Sequence, residues 1–290
     1  MALVNMDEML IRAKEEKYAV GAFDLINMEF AEAILAGAAK LNAPVILSTA
    51  AVHFDYVNME SLAPSLVKLA QDAPIPVALH LDHGSSLEMA VQAIRLGYTS
   101  VQVDTAHLPF EENVKVTKEI VKIAHSVNVS VEGELGYVSG HEGDHGESRF
   151  DQDEPIYTDP ADALRFVEET GIDCLAVSIG TVHGLFKGEP RIDLDRMQTI
   201  NNKVSVPLVI HGGSGLSEET YKKLIECGMA KINFYAELSK AAVQSIQNNL
   251  NRNPETTNIT QVLAGIRPSV QERVESRIKV WGSDNKYSFI

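Results

Sequence analysis

Cysteine is scarce in this 290-residue chain: there are two, Cys174 and Cys227, far apart and each in apolar surroundings. That argues against a disulfide framework; both read as small buried hydrophobes of a reduced compartment. Basic charge is also short, with 25 Lys and Arg against 40 Asp and Glu and a formal net charge of -15. Nucleic acids and anionic membranes call for a basic face, so neither is an expected partner. An anionic ligand would have to be held locally, by a metal, a helix N-terminus or a few lysines. No apolar run reaches transmembrane length. The first residues, Met1-Ala2-Leu3-Val4-Asn5, lack a basic n-region, so no signal peptide is expected and the expected location is cytoplasmic. The glycine-rich dinucleotide turn is missing after the first strand, where Gly21-Ala22-Phe23-Asp24 stands. No strand end offers an obvious Schiff-base lysine; Lys231 reads as the start of a strand, at the opposite end.

What is present is a rhythm. An apolar content of 45% is ample for a core. After a helix over Asn5–Lys17, strand-like runs alternate with helical ones. The strands are read at 18–23, 44–48, 75–84, 100–104, 129–134, 174–179, 206–210 and 231–234. Asn27, Ser85 or Ser86, Asp159 with Pro160, and Ser217 are expected to open helices, and Gly97 and Gly171 to close them. Pro64 suits an early turn of a helix near Leu62–Ala70, and Pro109 opens another. Eight such units in about 250 residues is the size at which a parallel sheet closes into a TIM (β/α)8 barrel. An open doubly wound sheet is the alternative. The chain is read as one barrel domain, 1–290, with an N-terminal helix and a helical tail over 251–290. The tail is expected to carry a helix over Pro268–Val280 and to pack on the barrel or a neighbouring subunit. One connection breaks the rhythm. Residues 137–158 hold Gly140, Gly143 and Gly146 among His141, Glu142, Asp144, His145 and Glu147, and read as a mobile loop over the active site.

In such a barrel the site lies at the carboxyl ends of the strands. Three apolar runs end on imidazoles that precede glycine: His80-Leu81-Asp82-His83-Gly84, Thr181-Val182-His183-Gly184 and His211-Gly212-Gly213-Ser214-Gly215. Asp24, Asp104, His107, Glu132 and Glu134 end other strands. So many ionisable groups on buried strands are costly unless paired or metal-bound. Three imidazoles from three strands, with a carboxylate beside one, suit a catalytic zinc with an open position. His83, His183 and His211 are therefore the candidate ligands, and His80, two residues from Asp82, a supporting partner. His53, His107, His125 and His145 read as ordinary histidines. Gly212, Gly213 and Ser214 form an anion cradle that Asn233 would complete, with Lys187 as a nearby cation. A metal, a phosphate cradle and a carboxylate next to a ligand suit carbon–carbon cleavage through an enediolate.

These residues resemble the class II, zinc-dependent fructose- and tagatose-bisphosphate aldolases over nearly the whole chain. Further markers are Tyr18–Phe23, Asp104 followed by His107–Asn113, Glu132–Gly136 and Lys231-Ile232-Asn233. The resemblance implies zinc on His83, His183 and His211, and Asp82 as the acid/base at the substrate C4 hydroxyl. It implies Glu142 as the glutamate exchanging a proton at C3 of the dihydroxyacetone phosphate unit. Glu134 and Asp104 would meet a second or displaced metal position. Gly184, Lys187, Gly212, Ser214 and Asn233 would face the ketone-side phosphate, with a monovalent cation (Na+ or K+) nearby. It further implies a homodimer or homotetramer, a small sugar-phosphate substrate and a place in carbohydrate metabolism, glycolysis by default.

The expected reaction is reversible retro-aldol cleavage of a ketose 1,6-bisphosphate, fructose 1,6-bisphosphate by default, to dihydroxyacetone phosphate and an aldehyde. The alternative substrate is tagatose 1,6-bisphosphate or another C6-modified ketose 1-phosphate. Four departures from the family pattern bear on that choice. Asp24 stands where Asn is usual, and Thr105-Ala106 where Gly-Ser is usual. Ala236 cannot supply the phosphate bond of the usual Thr. The region Thr256–Gln261 lacks the basic residue that the family often sends toward a neighbour's distal phosphate. A carboxylate opposes a nearby phosphate by about 1 kcal/mol or more. Two other readings stand beside this one: a metal-dependent hydrolase, which would want a His-x-His pair that is absent, and a non-catalytic sugar-phosphate-binding or regulatory protein that kept the fold.

Overall fold

Strand and helix alternate in the expected order, and the strands close on themselves. A computed structural model describes residues 2–138, 157–184 and 191–287. Helix α1 (Asp7–Glu16) precedes eight strand–helix units. These are β1 (Val20–Asp24) with α2 (Met28–Lys40), β2 (Val45–Ala50) with α3 (Met59–Asp72), β3 (Val77–Gly84) with α4 (Leu87–Arg95), and β4 (Ser100–Val103) with α5 (Phe110–His125). They continue with β5 (Ser130–Leu135) and α6 (Pro160–Thr170), β6 (Cys174–Val177) and α7 (Leu194–Lys203), β7 (Leu208–Ile210) and α8 (Glu218–Glu226), and β8 (Met229–Phe234) and α9 (Ala236–Arg252). All strand pairs are parallel, and β8 pairs with β1 to close the barrel. The alternative of an open sheet is thereby excluded.

The expected caps form. Asn27, Ser86 and Ser217 accept backbone N–H bonds three residues on, Asp159 caps α6 ahead of Pro160, and Gly171 ends that helix in the left-handed region. One start differs. Helix α3 opens at Met59, with Asn58 accepting from the Ser61 N–H, so Pro64 lies inside the helix and not in its first turn. The tail holds α10 (Ile259–Leu263) and α11 (Ile266–Trp281), and α11 packs on the barrel's outer layer. Trp281 is buried against Phe23, ring centroids 5.6 Å apart, with Tyr221 and Phe234 edge-on to it. Gly21 makes room for this, since a Cβ there would lie 2.8 Å from the Trp281 ring.

The barrel interior is divided along its axis. At the amino end, Met6, Met9 and Leu10 of α1 and the segment before it pack against Val20, Ala22, Ile46, Ala78, Ala176, Val209 and Ala230. Small alanines on the inward positions leave the space that the α1 side chains fill, a close-packed arrangement in which each methylene counts. Further along the same inward faces stand Asp24, Ser48, His80, Asp82, Gln102, Glu132, Glu134, Lys231 and Asn233, every one of them buried. The outward positions, such as Phe23, Leu79, Leu81, Val101 and Val131, belong to the layer under the helices. Among the described residues no helix is long and apolar enough to cross a membrane.

Candidate active site

The end of β3 resolves a conflict of direction. Adjacent strand residues point to opposite faces, yet Asp82 and His83 are both needed on the inside. The register slips between Leu81 and Gly84, and His83 takes a left-handed conformation with φ of 48°. Such a backbone costs on the order of 1 kcal/mol or more in a non-glycine residue and collects at functional sites. Gly84 permits the slip, because a Cβ there would lie 2.7 Å from the Gln102 carbonyl oxygen. Gln102 in turn accepts the His83 N–H at 3.0 Å and donates to Glu134 at 2.8 Å.

The three candidate ligand imidazoles meet. One ring nitrogen from each of His83, His183 and His211 falls within 4.8 Å of the others. His211 Nδ1 lies 2.8 Å from His83 Nε2. Both ring nitrogens of His183 are buried without a hydrogen-bond partner among the described residues. Such orphaned polar atoms ordinarily cost about 1–3 kcal/mol. Burial, helped by the neighbouring His83 and His211, pushes the His183 pKa well down, leaving the neutral imidazole that binds metal. Converging lone pairs, an orphaned buried ring and nitrogen donors fit a divalent cation of zinc type. His83 also faces Asp104 at 3.2 Å and Glu134 at 3.9 Å, which makes a second three-residue group around the same imidazole.

A third group, His80 with Asp82 and Glu132, already holds a cation of the protein's own. The Lys231 ammonium lies 2.7 Å from Glu132 and 2.6 Å from the Asn233 side-chain oxygen. This corrects the expectation for Lys231. Strand β8 starts two residues earlier than expected, at Met229, and its register slips against β7, so Lys231 is an inward-facing residue in mid-strand. Burial lowers a lysine's pKa, but Glu132 and Asp82 outweigh it and keep Lys231 charged. Burial would likewise raise both carboxyls; Lys231, His211 and His80 hold Glu132 far below the usual carboxylate range. His83, His80, His211 and Lys231 do the same for Asp82.

Asp82 is therefore a carboxylate. Its Oδ1 accepts the Asn233 amide at 2.9 Å, and its Oδ2 is buried without a hydrogen-bond partner among the described residues. His80 donates or accepts at Ser100, 2.8 Å away, and stands 3.7 Å from Asp82, near enough to support it without a direct hydrogen bond. Asn233 was expected to complete the anion cradle; its side chain is instead spent between Lys231 and Asp82. Asp24 is fully buried at the end of β1, in register with Ser48.

The loops after β6 and β7 touch. Gly212 has φ of 65°, and a Cβ there would lie 2.2 Å from the Val182 carbonyl oxygen, so only glycine fits. A Cβ on Gly213 would lie 2.7 Å from an Ile232 methyl, Gly184 is also left-handed, and Ser214 is buried beside them. The Gly215 N–H donates to Glu237 at 3.0 Å, tying this loop to the first turn of α9, where Tyr235 provides no side-chain cap. Backbone N–H groups on two glycine loops beside an uncapped helix start suit an anion.

A cavity of about 400 Å3 opens from His83, Asp104, Glu134 and His183 toward Ala51, Val52 and Val138. His107, read as an ordinary histidine, is exposed and lines it. His53 is buried, its ring 4.5 Å from Tyr235, but both its ring nitrogens lack a hydrogen-bond partner among the described residues, so it is not the hydrogen-bonded core histidine expected. Glu142, Lys187 and most of the 137–158 loop lie outside the described residues. The ends of that loop are joined, with Ser178 donating to the Tyr137 carbonyl at 2.9 Å and Thr158 donating to the Leu135 carbonyl. Gln102 escaped the sequence reading, and Lys231 was read but set aside; for Lys231 the signal was its two-residue spacing from Asn233.

A sequence description of the fructose-bisphosphate aldolase class-II family matches residues 4–286. The chain belongs to that family. It is 42% identical over 289 residues to the fructose-bisphosphate aldolase of Staphylococcus aureus strain Mu50, covering 99% of each chain. It is 41% identical to the probable fructose-bisphosphate aldolase of Bacillus subtilis strain 168, covering 99% of this chain and all of the other. Among solved structures, that of the YdjI aldolase from Escherichia coli K12 is similar, with a TM-score of 0.88 and 34% identity, covering 99% of this chain and 100% of that one. Class II aldolases typically depend on a metal, and the imidazole cluster is a fitting place for one in this chain.

Proposed function

We propose that the protein is a zinc-dependent aldolase that cleaves a ketose 1,6-bisphosphate, with fructose 1,6-bisphosphate the default substrate, to dihydroxyacetone phosphate and an aldehyde. The observation that carries this reading is the meeting of His83, His183 and His211 beside the open oxygen of Asp82. A bound divalent cation would polarise the substrate ketone and offset the charge of an enediolate. Asp82 takes the proton of the C4 hydroxyl as the C3–C4 bond breaks. Its depressed pKa keeps it in the carboxylate form that can accept a proton. Gly184, Gly212, Gly213 and Ser214 hold the ketone-side phosphate through backbone N–H groups and a hydroxyl. Lys187 adds charge there, and Glu142 exchanges the proton at C3. Asp104 and Glu134 support His83 and offer the metal a second position.

The test is release of dihydroxyacetone phosphate from fructose 1,6-bisphosphate by purified enzyme, before chelation, after chelation and after zinc is restored. Turnover that vanishes and returns supports the reading. Turnover indifferent to chelation, or absent with every ketose phosphate tried, contradicts it.

Asp24 favours a second reading, in which the preferred ketose 1-phosphate differs at its distal end. A buried carboxylate at the end of β1 disfavours a phosphate nearby. On this reading Asp24→Asn raises kcat/KM for fructose 1,6-bisphosphate by roughly fivefold, the equivalent of about 1 kcal/mol. No gain in the variant removes the support for it.

A further inference from the structure

Lys231 is the one fully buried cation among the described residues, and its contacts reach both halves of the site without touching the ligand cluster itself. An ammonium can only donate hydrogen bonds. The Asn233 side-chain oxygen at 2.6 Å must therefore face Lys231, which leaves the Asn233 NH2 to donate to Asp82 Oδ1 at 2.9 Å. One oxygen of Asp82 is thus tied as an acceptor, while Oδ2 is left open. On the other side, Lys231 holds Glu132 Oε2 at 2.7 Å, while Glu132 Oε1 lies 2.7 Å from His211 Nε2. A carboxylate only accepts, so His211 carries its proton on Nε2 and turns the Nδ1 lone pair toward His83, 2.8 Å away.

We propose that Lys231 is a positioning residue. From one point beneath the site it fixes the amide direction of Asn233, so that Asn233 meets Asp82 as a donor, and it holds the Glu132 carboxylate that sets the His211 tautomer. The inference rests on the aldolase reading for its effect on turnover, but its effect on metal binding does not depend on that reading. Schiff-base chemistry is not its role, because the nitrogen is an ammonium enclosed by Glu132 and the Asn233 oxygen with no open side shown to substrate. A purely structural lysine would balance the Glu132 charge and do no more.

The experiment compares wild type with Lys231→Met and with the double variant Lys231→Met/Glu132→Gln. The double variant removes both charges together and so avoids leaving one buried charge unpaired. For each, thermal stability, cobalt(II) affinity with the visible spectrum of the bound ion, and kcat and KM are measured. Lys231→Met is expected to weaken cobalt binding by about 10–100-fold, the usual effect of losing support behind a metal-ligating histidine. Its cobalt spectrum is expected to change, and kcat to fall by about 100-fold with KM changed by less than threefold. The double variant is expected to recover thermal stability but neither the cobalt affinity nor kcat. If Lys231→Met fails to fold, the double variant decides alone. Wild-type cobalt binding and kcat in either folded variant, with only stability altered, would overturn the proposal. Trapping of substrate on Lys231 by borohydride would overturn it as well. Altered cobalt binding in variants of a protein that cleaves no ketose phosphate would retain the positioning role and reject the aldolase reading.

Discussion

At the amino end of the barrel, Met6, Met9 and Leu10 fill the space between Ala22, Ala78, Ala176 and Ala230. Toward the other end, one to four residues past those alanines on β1, β3 and β8, and on β5, the inward side chains are Asp24, His80, Asp82, Glu132, Lys231 and Asn233, also buried. Equal burial has opposite consequences. The apolar end gains roughly 1.5–3 kcal/mol for each large side chain withdrawn from water. The polar end gains nothing of that kind and holds together because most of its groups answer another: Lys231 to Glu132, Glu132 to His211, Asn233 to Asp82. Among the described polar-end atoms that lack a partner, the His183 ring nitrogens and Asp82 Oδ2 belong to the candidate site, and the chemistry is expected there. One end stabilises the barrel, and the other uses part of that stability to hold a site.

The comparison is broken most sharply by removing a ligand. His211→Ala is expected to lower turnover with zinc by at least about 10³-fold, the several kcal/mol that a metal contributes to charge stabilisation. It should leave the amino end intact, so a cooperative thermal transition persists. A variant with turnover within tenfold of wild type would contradict the assignment. Next in size, Leu10→Ala is expected to cost about 2–5 kcal/mol of stability, read as a lowered Tm. Its kcat per folded molecule should not change, because Leu10 packs only at the amino end. A matching loss of kcat would show that the two ends are coupled.

The smallest expected effect concerns protons. Burial lowers the pKa of both His53 and His80. Once pH drops below about 6.5 the unfolded chain binds protons that these folded imidazoles refuse, so stability falls as pH falls. Each such group adds a slope of up to about 1.4 kcal/mol per pH unit. The Tm of chelator-treated protein should therefore decline between pH 7.5 and 5.5. Both ring nitrogens of His53 lack a hydrogen-bond partner among the described residues, so His53→Phe forfeits no bond. It should flatten that decline by one group's share; an unchanged slope would show that His53 is not one of the groups responsible.

Much of this division was legible in the sequence. The alternation of runs gives eight strands and their closure, and the caps at Asn27, Ser86, Asp159 and Ser217 act locally, through side chains that reach backbone three residues away or fewer. His83, His183 and His211 stood out because each ends a strand before glycine. What was not legible depends on register. Lys231 was assigned to the wrong end because the start of β8 and its slip against β7 are set by pairing, not by the residues of β8 alone. Strict alternation would turn His83 away from Asp82; a left-handed φ of 48° brings it back, and nothing in the letters announces that. The Asn58 cap was masked by Pro64, whose presence invited a later start. The direction of the Asn233 amide follows only from knowing that an ammonium lies 2.6 Å away.

The central claim is that the polar end of the barrel gathers its three imidazoles around one divalent ion. An anomalous difference map from crystals of the zinc-loaded enzyme, collected on both sides of the zinc edge, tests it most directly. A single strong peak bonded to nitrogens of His83, His183 and His211, at the roughly 2.0–2.1 Å usual for zinc–imidazole bonds, is the predicted result. No peak there, or zinc held only on surface carboxylates with the three imidazoles turned apart, would contradict the account.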